Sequence, residues 1–111
     1  MIDIDKAIAT AVKTGKVSFG ANSAIQNAIT AKAKLIILAA NCPITIREDV
    51  EYYCKLSNVP LITYKGSSMD LAAVSGKSFV ISALTIREPG DSEILGLIEN
   101  TESEESHGGN E

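Results

Sequence analysis

The stretch Leu35-Ile36-Ile37-Leu38-Ala39-Ala40 is the longest clean apolar run in the 111-residue chain. A membrane-spanning helix needs roughly 18 to 20 apolar residues, so this run is far too short to cross a bilayer. A run of this length, followed by the turn residues Asn41-Cys42-Pro43, is typical of a buried β-strand. We therefore take it as a core strand and assign the flanking segments relative to it.

Helical and extended patterns alternate on both sides of this strand. The predicted elements are a helix over 4–14, a strand over 16–19, a helix over 22–30, the strand over 35–40, a helix from 45, a strand over 61–64, a helix from 67 or 68 to 76, a strand over 79–86 and a helix after 91. Short connections join them throughout. This order predicts an α/β sandwich with helices on both faces of a central sheet.

Helix ends are predicted from capping residues. Asp3 and Asp91 are suitable N-caps for the first and last helices, and Gly15 is a suitable stop for the first. Thr45 and Glu48 have the T-x-x-E spacing of a capping box, in which each side chain satisfies a backbone N–H of the other residue. This spacing predicts the start of the third helix.

Charge divides the chain into two parts. The whole chain carries −4, but residues 1–98 carry +1 because Glu99 and four later glutamates have no basic residue among them. No apolar residue follows Ile98, and a segment of this kind cannot bury enough surface to offset its ordering entropy. We expect one domain over 1–98 and a disordered acidic tail over 99–111. A nearly neutral body also indicates that nucleic acid is not held by charge alone.

The residues argue against an enzyme, a metal site or a cofactor. His107 is the only histidine and lies in the tail, so no core can position it for catalysis. Cys42 and Cys54 lack a C-x-x-C spacing and a histidine partner, which predicts two reduced thiols, with Cys54 in the core. Ser75-Gly76-Lys77-Ser78 imitates a P-loop but has Leu71 where that motif needs glycine. The N-terminus carries no secretory signal, which predicts a cytoplasmic protein that does not contact a membrane.

Three loops carry the remaining candidate site residues. Gly20-Ala21-Asn22-Ser23 leads from a strand into a helix, where backbone N–H groups either hold a phosphate or are capped by Asn22 or Ser23. Asn41 either pairs with a base edge or bonds the turn backbone. Phe79, which follows Lys77, either stacks on an unpaired base or lies in the core, and its position alone favours the core.

Five longer stretches make the chain similar to a known family. They are Thr14-Gly15-Lys16-Val17 with Phe19-Gly20-Ala21, then Ala33-Lys34-Leu35-Ile36-Ile37-Leu38-Ala39-Ala40-Asn41, then Glu48-Asp49-Val50-Glu51-Tyr52-Tyr53-Cys54-Lys55-Leu56-Ser57, then Gly76-Lys77-Ser78-Phe79, and Pro89-Gly90-Asp91-Ser92. Over residues 3 to 98 the chain resembles the large-subunit ribosomal members of the kink-turn RNA-binding superfamily.

The resemblance implies a three-layer α/β/α sandwich with a mixed four-stranded sheet, and an RNA-binding edge formed by the same loops. Gly20 matches a glycine that lets backbone approach bent RNA. Asn41 matches an asparagine that contacts purines of sheared pairs, and Phe79 matches an aromatic position near an extruded base. Lys77 and the helix start from Ala21 to Ser23 are expected to neutralise phosphates.

We therefore expect a structural constituent of the archaeal-type large ribosomal subunit that binds a kinked ribosomal RNA helix. The expected partners are ribosomal RNA and neighbouring large-subunit proteins, with no small-molecule substrate, and the protein is expected to be a monomer outside the ribosome. Two alternatives remain open at this point. One is a kink-turn protein of another ribonucleoprotein or an RNA regulator, and the other is a protein-interaction module that has lost RNA binding.

Overall fold

The computed structural model describes residues 4–92 and residue 94. In chain order the elements are α1 (Ile4–Thr14), β1 (Lys16–Phe19), α2 (Ala21–Ile29), β2 (Leu35–Leu38), α3 (Ile44–Ser57), β3 (Leu61–Thr63), α4 (Ser68–Val74) and β4 (Ala83–Glu88). None of the helices in this part of the chain is long and apolar enough to cross a membrane.

The four strands form one mixed sheet in the order β1-β4-β2-β3. The neighbours β2 and β3 are parallel, whereas β4 runs antiparallel to both β1 and β2. Strands β1, β2 and β3 therefore share one direction and β4 has the other. This confirms the predicted mixed four-stranded α/β fold.

Two hydrophobic cores lie on opposite faces of the sheet because side chains of a strand alternate between faces. Leu35 and Ile37 of β2 pack with residues of α1 and α4, such as Ile8 and Leu71. The alternate residues Ile36 and Leu38 pack with residues of α2 and α3, among them Ala28, Val50 and Cys54. Burying one such side chain fully contributes roughly 1.5–3 kcal/mol. The run that is apolar at every position thus lies between two helical layers, and Cys54 is in the core as predicted.

The end of α1 lies close to the chain that follows β4. Gly15 ends this helix as predicted, and its N–H donates to the Ala11 carbonyl at 2.8 Å. A Cβ at Gly15 would lie 2.8 Å from the carbonyl carbon of Pro89 and 2.9 Å from the Ala11 oxygen, so a larger residue would push these two segments apart. The backbone N–H of Asp91 donates to Thr14 Oγ1 at 2.9 Å across the same contact.

Two helix starts differ from the sequence prediction. The Thr45–Glu48 capping box is wrong, because the N-cap of α3 is Pro43, two residues before Thr45, and no side chain caps this helix. Pro43 has the extended ψ of 141° that is usual for an N-cap, and its carbonyl accepts the first helical bond, from the Arg47 N–H at 3.0 Å. Capping of α2 by Asn22 or Ser23 is also wrong, because Gly20 is the N-cap and no side chain bonds the end of the helix.

The predicted fourth strand over 79–86 begins too early. Only Ala83–Glu88 pairs with β1 and β2. Ile81 instead donates its backbone N–H to the Ser68 carbonyl at 3.1 Å, so this stretch follows α4 before it enters the sheet. Strands β2 and β3 likewise end earlier than predicted, at Leu38 and Thr63. The predicted last helix, apart from residue 94, and the predicted tail lie outside the described residues.

Candidate functional site

The topology brings the three candidate loops to one end of the sheet. Strands β1 and β2 end there and β4 begins there, because β4 runs antiparallel to both. We call residues 20–23, 41 and 77–79 the loop edge. Two backbone bonds tie these loops to the start of β4: Gly20 N donates to the Ala83 carbonyl and Ala39 N donates to the Ser82 carbonyl, both at 2.9 Å. All seven predicted site residues lie on this edge.

The backbone conformation at position 20 requires a glycine. Its φ is +106°, which L side chains rarely adopt, and a Cβ there would have no atom within 4 Å. The side of Gly20 that lacks a side chain is therefore open to a partner. The next residues start α2, whose first backbone N–H groups have no acceptor within the helix and receive no side-chain cap. Ala21, Asn22 and Ser23 thus present uncapped N–H groups at the positive end of the helix dipole.

The side chain of Asn41 is oriented by α4. Its Oδ1 accepts a hydrogen bond from the backbone N–H of Ser68 at 2.8 Å, at the first residue of that helix. Because Oδ1 accepts this bond, the Nδ2 group is the side of the amide that points away from Ser68. Asn41 is exposed, and its two Nδ2 donors are the groups left for a ligand.

Phe79 is an exposed aromatic ring at the loop edge. Its exposed fraction is 52%, so the expectation of a core position is wrong. The reason is that β4 begins four residues later and Phe79 lies in the preceding loop. Its ring meets Phe19 edge-on, with centroids 5.9 Å apart. Lys77 Nζ lies 5.2 Å from the centroid of the same Phe19 ring, which holds one cation beside the exposed aromatic.

An apolar hollow continues from Phe79 towards α4. It has a volume of about 170 Å³ and is lined by Met69, Ala72, Ala73, Lys77, Ser78, Phe79 and Val80. Met69 and Val80 are 69% and 62% exposed. The predicted strand over 79–86 included Val80, so the sequence pattern gave no indication of this exposed surface. The hollow therefore presents apolar side chains beside Phe79, which a planar aromatic ligand can contact.

Arg47 is a second residue that the sequence analysis missed. Its guanidinium donates to the Ala39 carbonyl at 3.2 Å and to Thr63 Oγ1 at 3.0 Å. It also forms an ion pair with Glu51, with the closest N and O atoms 3.7 Å apart. Arg47 therefore joins the ends of β2 and β3 and supports the turn that carries Asn41. No sequence motif marks this role, because its two hydrogen-bond acceptors, Ala39 and Thr63, lie in other parts of the chain, just after β2 and at the end of β3.

The described residues contain no group of three or more histidine, cysteine or acidic side chains that could hold a metal ion. Burial raises the pKa of Cys42, partly opposed by the nearby Arg47 charge. Burial also raises the pKa of Cys54 to about 11, with a smaller contribution from Glu51. Both thiols are therefore protonated at neutral pH and are poor nucleophiles. His107 lies outside the described residues.

Comparison with known protein sequences gives a consistent assignment. Residues 2–96 match the family described as "Ribosomal protein L7Ae/L30e/S12e/Gadd45 family". The chain is 45% identical to large ribosomal subunit protein eL30 of Methanothermobacter thermautotrophicus, over 87% of this chain and 99% of that protein. It is 48% identical to eL30 of Methanobrevibacter smithii, over 86% of this chain and 96% of that protein.

A solved structure with low sequence identity to this chain has the same fold. A protein of unknown function from Bacillus halodurans C superimposes with a TM-score of 0.74. The match covers 87% of this chain and 96% of that one at 15% identity. At this identity the likeness concerns the fold alone.

Proposed function

Because the chain belongs to the ribosomal protein L7Ae/L30e/S12e/Gadd45 family, we propose that it binds a kinked helix of ribosomal RNA through its loop edge. It is a structural constituent of the large ribosomal subunit in the cytoplasm, as are its archaeal eL30 relatives by name. Its family is one of ribosomal proteins rather than enzymes. Ribosomal RNA and neighbouring ribosomal proteins are its partners, and outside the ribosome we propose a monomer.

The observation that carries the kinked-RNA proposal is the combination of groups at the loop edge. Uncapped N–H groups at the start of α2 suit phosphates, which helix N-termini bind readily. The open side of Gly20 lets the RNA backbone approach closely. A kink presses phosphates together and unstacks bases, so one surface that offers both phosphate and base contacts fits a kink better than a straight duplex.

The base contacts would come from the other two loops. The Nδ2 donors of Asn41 match the N7 and O6 acceptors of a guanine edge. The ring of Phe79 and the apolar hollow beside it match the face of an extruded base, since stacking of one base on an aromatic side chain contributes roughly 1–3 kcal/mol. Lys77, next to this ring, would neutralise a phosphate.

Titration of the purified protein into a kink-turn RNA and a straight duplex of equal length tests the proposal at two salt concentrations. We expect preference for the kinked RNA to persist at the higher salt, because few of its contacts depend on charge. Binding to both RNAs with equal, weak affinity that disappears with salt would contradict the proposal.

Two substitutions of Asn41 separate base recognition from support of α4. Asn41→Asp keeps an acceptor for Ser68 N–H but removes the amide donors, whereas Asn41→Ala removes both. We expect each to weaken kinked-RNA binding by about 1–3 kcal/mol, or roughly five- to 150-fold. Gln26→Ala, which removes an exposed amide from the middle of α2, is the matched control. Normal binding by Asn41→Asp would show that Asn41 only positions α4.

A further inference from the structure

A basic pocket lies at the end of the sheet opposite to the loop edge. It is bounded by the starts of β1 and β2, the end of β4 and the loop after α2, with a volume of about 460 Å³. Its lining residues are Lys16, Ala31, Lys32, Lys34, Arg87 and Glu88. These include four of the chain's ten basic residues and a single carboxylate. The weak net charge of the body therefore conceals a strong local concentration of positive charge.

The sheet brings these cations together from distant parts of the sequence. Lys16 begins β1 and pairs with Glu88 of β4, while Lys34 donates its backbone N–H to the Ile86 carbonyl at 2.7 Å. Because β4 lies between β1 and β2 and neighbouring strands are about 4.8 Å apart, the backbones of Lys16 and Lys34 are separated by about 10 Å. Arg87 lies on the intervening strand.

The loop after α2 is also held in place. Ala31 has a φ of +57°, a left-handed conformation that ends the helix. The backbone N–H of Ala31 donates to the Ala28 carbonyl at 3.1 Å, and that of Lys32 donates to the Asn27 carbonyl at 3.0 Å. The mainchain that carries the lysines is therefore fixed, and only their side chains need to adjust to a ligand.

The four cations are not neutralised by the described part of the protein. Among the described residues the only ion pair joins Arg47 and Glu51, on the other side of the sheet from α1. Glu88, the one carboxylate of the pocket, forms no ion pair with the surrounding cations of this region. All four basic side chains are exposed. Clustered like charges without partners raise the local potential and attract anions.

The composition of the pocket selects one kind of ligand. It has no aromatic ring for stacking a base and no amide side chain for reading a base edge. Flexible lysines and an arginine bind phosphates without regard to sequence. We propose that this basic pocket binds the phosphate backbone of a second RNA segment, so that the protein joins two RNA segments through opposite ends of one sheet. The choice of RNA as the ligand rests on the proposed function. The presence of the basic pocket follows from the structure alone.

Binding of a straight RNA duplex of about 20 base pairs tests the pocket, because such a duplex has no kink for the loop edge. We expect the double variant Lys32→Gln/Lys34→Gln to bind it on the order of tenfold more weakly at about 50 mM salt. The slope of log affinity against log salt should fall by about 1.4–1.8, since each of the two lost phosphate contacts contributes roughly 0.7–0.9. Binding of a short kink-turn RNA should change by less than about twofold.

Lys13→Gln/Lys55→Gln is the matched control, because it removes the same charge from exposed positions on α1 and α3. This control should keep its affinity for the straight duplex. An equal loss in both double variants would overturn the proposal, because net charge alone would then explain it. Absence of any duplex binding at about 50 mM salt would overturn it too.

A competition experiment separates this proposal from the proposed function. Protein saturated with unlabelled kink-turn RNA should still bind the labelled straight duplex if the two ends of the sheet act independently. Displacement of one RNA by the other would show a single shared surface and overturn the inference. If the variants of the basic pocket lose duplex binding but the protein shows no preference for a kink, only the function proposed for the loop edge fails.

Discussion

Cys54 lies within the core on the α3 side of the sheet and is 3% exposed. Burial raises the pKa of its thiol to about 11 from an ordinary value of 9.0, and Glu51 adds to this effect. In the unfolded chain the thiol loses its proton near its ordinary value, whereas in the native protein it keeps the proton until the higher pH. The native state therefore binds more protons across this interval, and stability falls as pH rises through it.

We expect the free energy of unfolding to fall by roughly 2 kcal/mol between about pH 8.5 and pH 11 through this one group. Urea titrations at several alkaline pH values measure it. Cys54→Ala should be less stable at neutral pH because it leaves a cavity, yet its stability should depend less steeply on alkaline pH. Parallel pH profiles of the two proteins would mean that Cys54 is not the group responsible.

Individual side chains were predictable to different degrees. Cys54 follows from helical periodicity alone, because α3 places it on the same face as Val50. Phe79 does not, because local β-propensity favours a strand there, while the backbone bond from Ile81 to Ser68 leads the chain along α4 instead. The bond between Asn41 and Ser68 joins residues 27 positions apart. Local sequence patterns contain no information on contacts at that separation.

At the scale of elements, α4 shows how a capping box determines a helix start. Ser67 Oγ accepts from the Asp70 N–H at 3.2 Å, and the Ser67 N–H donates to Asp70 Oδ2 at 3.0 Å. The sequence predicts this start at 67 or 68, but its T-x-x-E spacing predicts a capping box at Thr45 and Glu48 instead. The two sites have similar local sequences. They differ because α3 begins two residues earlier than a cap at Thr45 requires, with Pro43 as its N-cap.

The capping box of α4 also bears on the candidate site, since Ser68, which begins the helix, holds Asn41. We expect Ser67→Ala to lower the free energy of unfolding by about 1 kcal/mol, because an orphan N–H of the first turn loses its acceptor. Chemical denaturation measures this loss. Ser78→Ala removes an exposed hydroxyl that caps no helix and should leave stability within about 0.5 kcal/mol of the original. Equal stability of all three proteins would show that the capping box contributes nothing.

At the scale of the whole molecule, the alternating pattern of helices and strands was sufficient to predict the α/β class. The helices have a clear period, the apolar run over 35–40 has the length of a buried strand, and the short connections restrict how the elements can be arranged. The distribution of charge was not predictable in the same way. The net charge of residues 1–98 indicated a body that does not hold nucleic acid by charge alone, but the strand order β1-β4-β2 brings Lys16, Lys34 and Arg87 to one end of the sheet. That order depends on long-range pairing.

The acidic segment over 99–111 makes the net charge of the whole chain negative. It carries five glutamates and no basic residue, so a chain that ends at Ile98 should repel RNA less. We expect this shortened chain to bind the straight duplex a few-fold more tightly at about 50 mM salt and equally at about 200 mM, where screening shortens the range of the repulsion. Fluorescence anisotropy at the two salt concentrations measures both affinities.

The shortened chain also tests where the domain ends. If the domain lies within residues 1–98, the melting temperature should change by less than about 2 °C, because no buried apolar surface is lost. A full-length chain with all five glutamates changed to glutamine should match the shortened chain in RNA affinity, since the effect is one of charge and not of length. A fall in melting temperature by several degrees would mean that the acidic segment packs on the body and that the predicted boundary at 98 is wrong.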